Sequence, residues 1–146
     1  MTRPEWRIRP MEIGDYDSML ALWMGMDGLT PNEHDTRQRI ASYLDHNKGL
    51  SFVATCGNEL VGTLLSGTDG RRGFLQLLAV KPAFRGLSIA TTLVENSVKA
   101  FAELGISEIR IFVMKDNGPA HNFWKKLGWM VKTDVEVMSF HPKRPE

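Results

Sequence analysis

Phe74-Leu75-Gln76-Leu77-Leu78-Ala79-Val80-Lys81-Pro82-Ala83-Phe84-Arg85-Gly86-Leu87-Ser88-Ile89-Ala90-Thr91 is the stretch on which the reading of this chain turns. The run from Phe74 to Val80 is almost wholly apolar, which suits a strand buried on both faces. Lys81-Pro82-Ala83-Phe84 turns the chain. Beyond it, Ile89, Leu93, Val94, Val98, Phe101 and Leu104 recur at the spacing of an amphipathic helix, with Ser97 the one polar residue on the stripe. Gly105 ends that helix. The first N–H groups of any helix lack intrahelical acceptors. With the helix dipole behind them and Arg85 alongside, these donors suit a phosphate or pyrophosphate. On its own residues the passage remains either an anion site or a turn kept for packing. The sequence has neither G-x-G-x-x-G nor G-x-x-x-x-G-K followed by Ser or Thr, so hydride transfer and nucleotide hydrolysis lose support.

Working outward, Ser51 to Cys56 and Leu60 to Ser66 flank Gly57-Asn58-Glu59, a hairpin signal. Gly67 to Gly73 reads as a second hairpin connection with Asp69-Gly70 at its centre. Phe74 to Val80 is then the third strand of an antiparallel meander. Upstream, Arg7 to Arg9 suits a short strand. Asp15 or Asp17 suits the cap of a helix carrying Met19, Leu20, Trp23 and Met26. Gly28 to Asn32 breaks it, and a second helix is expected from about Asp35 to Asn47, with Ile40, Tyr43 and Leu44 inward. Downstream, Glu108 to Met114 alternates as a strand, Pro119 to Leu127 is helical, and Gly128 closes that helix. Trp129 to Val131 and Val135 to Phe140 read as a terminal strand pair. The order predicts an α/β fold: a central mixed, mostly antiparallel sheet with helices on both faces.

Composition bounds the function. The chain has 146 residues, 42% hydrophobic and 24% charged, and is expected to form a single domain over 1–146. A net charge of +1 argues against broad electrostatic binding of nucleic acid. No apolar run is long enough for a bilayer, so no membrane partner is expected, and the N-terminus lacks a signal-peptide core. Cys56 is the only cysteine, so no intrachain disulfide forms, and a reducing cytoplasm is the expected setting. No metal is expected, and a homodimer is left open.

A second element is Asp116-Asn117-Gly118-Pro119-Ala120-His121-Asn122-Phe123-Trp124-Lys125-Lys126-Leu127-Gly128-Trp129. Asn117 lies where a strand ends and a helix begins, the place of a cap. Together the two elements resemble the GNAT N-acetyltransferases. Leu78-Ala79-Val80, Pro82 and Arg85 to Ala90 are similar to that family's strand, proline turn and [QR]-x-x-G-x-[GA] pattern. Asn117, Ala120, Phe123, Lys126, Gly128 and Trp129 match its second pattern. Thr68 to Gly73 and Val137-Met138-Ser139 more weakly resemble a bacterial YpeA-like subset.

The resemblance implies an acetyl-CoA-dependent N-acetyltransferase, with acetyl-CoA as cosubstrate and a small-molecule or peptide amine as acceptor. The alternative is a CoA-binding module without transferase activity. It implies that the edge of Leu78, Ala79 and Val80, splayed from the Glu108-to-Met114 strand, takes pantetheine. Gly86, Leu87, Ser88, Ile89, Ala90 and Thr91 would hold the pyrophosphate, and Arg85 would add charge or anchor the turn. Asn117 would bond the pantetheine arm, and Phe123 and Trp124 would line the thiol end. Two departures stand out. Ser88 replaces a usual glycine; a serine at a helix start is expected to need no positive φ. Trp124 stands where many members carry a tyrosine thought to protonate the leaving thiolate, a task closed to a donor-only indole. The family's glutamate positions, on the strands of Phe74 and Phe112, are not acidic here. The remaining candidates for a base are Glu33, His34, Asp35 and Asp69, each also readable as a loop residue or cap.

Overall fold

The structure is a computed structural model and describes residues 5–143. Its elements are β1 (Arg7–Pro10), α1 (Tyr16–Met24), α2 (Arg37–His46), β2 (Phe52–Cys56), β3 (Glu59–Thr68), β4 (Gly73–Val80), α3 (Ile89–Glu103), β5 (Ile109–Ile111) and α4 (Gly118–Lys126). The strands form one sheet in chain order, β1-β2-β3-β4-β5. β1 to β4 are antiparallel neighbours, so the expected meander is present. β5 joins β4 in parallel, which needs a long crossover, and α3 supplies it. The fold is mixed α/β. The chain divides into two compact units, one ending at Met114 and one beginning at Lys115; the sheet and α1 to α3 lie in the first, α4 in the second.

β3 shows which helix covers which face of the sheet. Alternate side chains of a strand point to opposite faces. Thr63 receives a hydrogen bond from the Trp23 indole of α1, while Ser66 meets Ser97 of α3 at 2.9 Å. These β3 positions are an odd number of residues apart, so α1 and α3 pack on opposite faces. Gly67, on the same face as Thr63, lies under the Tyr43 ring of α2 so closely that a Cβ would strike the hydroxyl. Burial there pushes the Tyr43 hydroxyl up to about 12. On the α1 face, Met11, Tyr16, Met19, Leu22, Trp23, Ile40 and Leu65 form one buried cluster. On the other, Ile89, Leu93, Val94 and Phe101 carry the expected α3 stripe, while Leu104 at its end is exposed. Ser97 is buried but satisfied: its hydroxyl donates to Leu50 O at 2.8 Å and meets Ser66.

α1 starts where the sequence suggests, yet Asp15 does not cap it through its side chain. Its carboxylate is instead held by the Arg9 guanidinium at 2.6 and 2.9 Å and by the Glu12 N–H at 2.9 Å, tying the loop after β1 back to that strand. Burial works to raise the Asp15 carboxyl. The Arg9 hydrogen bond, the Glu12 N–H and the Arg9 charge together outweigh it and hold the group below its ordinary value. A carboxyl lowered in the folded state stabilises fully above its unfolded value and loses that contribution as pH falls through the folded one. Asp15→Asn should therefore cost about 0.5–1 kcal/mol at pH 7, and the gap to the parent should narrow as pH falls below roughly 4. Urea unfolding at pH 7 and at pH 3 checks this; a gap unchanged with pH would contradict it.

α2 begins later than expected. Thr36 is its cap, accepting from Arg39 N at 3.2 Å, while Asp35 is occupied one turn earlier with the Asn32 N–H. The larger differences lie downstream. β5 is confined to Ile109–Ile111 rather than running from Glu108 to Met114, and Phe112 and Met114 are exposed. Residues 129–143 hold no strand, although Trp129 to Val131 and Val135 to Phe140 alternate as strands do. Alternation fixes which side chains share a face, but a strand also needs a neighbour for its N–H and C=O groups. Met130, Val137, Met138 and Phe140 are exposed accordingly.

Candidate functional site

β4 changes character halfway along. Its pairing with β5 covers Gly73, Phe74 and Leu75 and stops there. From Gln76 to Val80 that edge has no strand beside it among the described residues. On the other edge the register slips: Gln76 pairs with Leu65 but Ala79 with Thr63, so Leu77 and Leu78 together face Leu64. This is a β-bulge, and Leu77 sits in it at φ 54, in the left-handed region. Beyond the bulge, Lys81 N donates to Val61 O at 2.8 Å. Strand alternation then turns the preceding N–H, that of Val80, away from β3 and out to the open edge. Leu78 is half-buried, and Ala79 and Val80 are buried.

The open edge leads straight into the turn. Pro82–Phe84 makes a single tight helical turn, Arg85 is extended and exposed, and Gly86 takes φ 78. A Cβ added at Gly86 would meet nothing within 4 Å, so the turn borders open space. Leu87 is half-buried, and α3 starts at Ile89. Thr92 N reaches Ser88 O at 3.0 Å, the first N–H of α3 to find an intrahelical acceptor. Those of Ile89, Ala90 and Thr91 precede it and have none within the helix. Gly86 to Thr91 thus gathers backbone donors at a helix N-terminus, the arrangement that suits an anion.

Ser88 corrects an expectation. It is the cap residue of α3 and adopts φ 66, ψ 18, so this turn does require a left-handed residue where serine stands. A side chain there is strained against its own backbone. Its hydroxyl makes no capping hydrogen bond that would offset the strain. Ser88→Gly should stabilise the protein by about 0.5–1 kcal/mol, raising Tm by about 1–4 °C. Calorimetry checks this, and a lower Tm in the glycine variant would show that the serine side chain supports the turn.

The second motif lies in the other unit. Asn117 caps α4, its Oδ1 accepting from Ala120 N at 3.1 Å, and Pro119 occupies the first turn. The side-chain oxygen is therefore already engaged. Phe123 is half-buried and Trp124 buried. Trp124 packs edge-on against Phe123 and Trp129, with ring centroids 5.1 and 4.8 Å away.

The candidate bases sit in turns or at the surface. Asp69 Oδ1 accepts from Arg72 N and Arg71 N, and these bonds hold its carboxyl below the ordinary range. It closes the β3–β4 turn and remains ionised, a weak base. Asp35 accepts from Asn32 N at 3.1 Å, and Glu33 and His34 are exposed neighbours 3.8 Å apart. Among the described residues, no group of three or more His, Cys, Asp or Glu side chains is placed to hold a metal ion, and no helix is long and apolar enough to cross a membrane.

Comparison with known proteins places this geometry. Residues 16–129 match the model of the acetyltransferase (GNAT) family. An acetyltransferase of Pectobacterium atrosepticum is 33% identical over 120 residues, which is 82% of this chain and 84% of that protein. Among solved structures, the chain is similar to the PaiA N-acetyltransferase of Thermoplasma acidophilum in complex with coenzyme A. The TM-score is 0.78 at 19% identity, over 90% of this chain and 93% of that one. It is also similar to an aminoglycoside antibiotic 6'-N-acetyltransferase of Acinetobacter haemolyticus, at TM-score 0.76 and 20% identity over 94% of this chain and 99% of that one. At those identities the likeness to solved structures establishes the fold.

Proposed function

We propose that this chain, which belongs to the GNAT acetyltransferase family, transfers the acetyl group of acetyl-CoA to a primary amine of a small molecule or peptide. The observation that carries this reading is the continuity of β4 and α3. A strand edge from Gln76 to Val80, unpaired among the described residues, runs directly into the backbone donors between Gly86 and Thr91. An elongated donor with an amide-bearing arm and a pyrophosphate fits that order of groups. The residues present fit such a group: the Gly86 turn borders open space, and the first N–H groups of α3 have no acceptor within the helix. The whole chain is read as one transferase domain of the cytoplasm, with neither nucleic acid nor membrane as partner.

The thioester supplies an activated acetyl group. The Val80 N–H on the open edge would polarise the acyl oxygen, and preorganised backbone donors of this kind commonly give the largest single rate contribution. The helix start and the strand edge fix the donor in place, so positioning supplies much of the rest. Asp69 is committed to its turn and Trp124 to aromatic packing. No side chain is therefore assigned as base or acid; the amine would arrive neutral or lose its proton to water.

At a free concentration 100-fold above Kd, acetyl-CoA should stabilise the protein by about 2.7 kcal/mol and raise Tm by about 5–10 °C. A thiol-release assay over a panel of small and peptide amines then tests transfer. Binding without CoA release for any amine would identify a CoA-binding module, and an unmoved Tm would reject the donor site.

A further inference from the structure

We propose that Trp23 and Thr63, buried on the α1 face of the sheet, are positioning residues that set the phase of β4 and thereby place the Val80 N–H on its open edge. This rests on the acetyl-transfer reading, since that N–H is the donor assigned to the acyl oxygen. Trp23 and Thr63 are both fully buried. The indole Nε1 donates to Thr63 Oγ1 at 2.9 Å, and Thr63 Oγ1 donates to the backbone oxygen of Leu77 at 2.8 Å. An indole N–H can only donate, whereas a hydroxyl donates once and accepts as well. The direction of the relay is therefore fixed. Thr63 must accept from Trp23, which leaves its single hydrogen for Leu77.

Leu77 is the left-handed residue of the bulge. Leucine is not stable there on its own, and such residues persist where the surroundings over-determine them. Its carbonyl accepts from the Thr63 hydroxyl, and its side chain packs against the α1-face cluster. Both ends of the residue are held from the same face.

The bulge determines what the edge presents. Gln76 pairs with Leu65. Continued without a bulge, that register would set Leu78 against Thr63 and Val80 against Val61. Val61 O points toward β4, because it accepts from Lys81 N. Val80 N–H would then be locked into the β3 ladder. With Leu77 and Leu78 sharing one place opposite Leu64, Ala79 meets Thr63, Lys81 takes Val61, and Val80 N–H turns outward. One hydroxyl and one indole in the core thus control a donor on the far edge of the next strand.

Three variants test this: Thr63→Val, which keeps shape and loses the hydroxyl; Thr63→Ser, which keeps the hydroxyl; and Trp23→Phe, which removes the upstream donor together with part of a buried ring. With the best amine of the panel, Thr63→Val should lower kcat about tenfold or more while the Kd for CoA changes less than about threefold. Thr63→Ser should stay within about threefold of the parent in both, as the retained hydrogen bond requires. Trp23→Phe should fall between, and it carries the test if Thr63→Val does not fold. Nuclear Overhauser contacts between strands read the register without reference to activity. The Thr63–Ala79 pairing should survive in Thr63→Ser and weaken or shift toward Leu78 in Thr63→Val. If the parent binds acetyl-CoA and acetylates nothing, the transfer reading fails and the register measurement alone decides the relay. Unchanged register and kcat in Thr63→Val, or a serine variant as impaired as the valine one, would overturn the proposal.

Discussion

Gly86→Glu should abolish acetyl-CoA binding, weakening it about 100-fold or more, equivalent to about 2.7 kcal/mol. Two effects combine. Gly86 holds φ 78, where a residue with a Cβ costs about 1–2 kcal/mol, so the turn would relax away from the form that aligns the donors. The new carboxylate would also lie beside the N-terminus of α3 and occupy the N–H groups proposed to hold phosphate. The fold itself should tolerate the change, because Gly86 is exposed and its missing Cβ points into open space. Gly86→Asn separates the two effects. Asparagine visits the left-handed region more readily and carries no charge, so its loss should stay within about tenfold. Isothermal titration with CoA measures both. Near-unchanged affinity in the glutamate variant, with the protein folded, would remove the pyrophosphate from this turn.

The features that were legible in the sequence are those written in residue type and period. The apolar run to Val80, the proline turn and the stripe beginning at Ile89 announce β4, its exit and α3, and all three are present. Asn117 is in place as the cap of α4. What escaped reading depends on partners or on backbone angles that residue type does not reveal. A continuous apolar strand such as Phe74 to Val80 carries no alternation to betray a slip in register, so the bulge at Leu77 was invisible. One signal was available: Thr63 is a hydroxyl in an otherwise apolar stretch of β3, and such a residue needs a buried partner. Ser88 misled for the opposite reason. Serine is a favoured helix cap with extended backbone angles, yet here the turn that follows Gly86 imposes a left-handed cap. Asp15 also had the chemistry of a cap, but Arg9 was the stronger partner. The alternation after Trp129 is real in the sequence and unaccompanied by a strand, because pairing is a property of two segments.

Gly62→Val should destabilise the protein by about 2–3 kcal/mol, lowering Tm by about 5–10 °C, and should weaken acetyl-CoA binding as well. Gly62 lies on β3 directly beneath the start of α3. An added Cβ would meet Ile89 Cγ2 at 3.2 Å, Ala54 Cβ at 3.3 Å and Ala79 O at 3.3 Å. Ala54 belongs to β2 and Ala79 O to the backbone of β4, so neither can withdraw without moving a strand. The yielding partner is Ile89, and it is the first residue of α3, fully inside the core at 1% exposure. Extra volume at Gly62 therefore lifts the helix end whose N–H groups make up the proposed anion site. Gly62→Ala grades the effect, since a single methyl asks the neighbours to give by only a few tenths of an ångström. If α3 is the donor platform, the drop in Tm and the loss of CoA affinity should grow together from alanine to valine. A valine variant with a lowered Tm and intact affinity would mean that the helix start is not where the pyrophosphate is held, and the site would have to be sought elsewhere along the β4 edge.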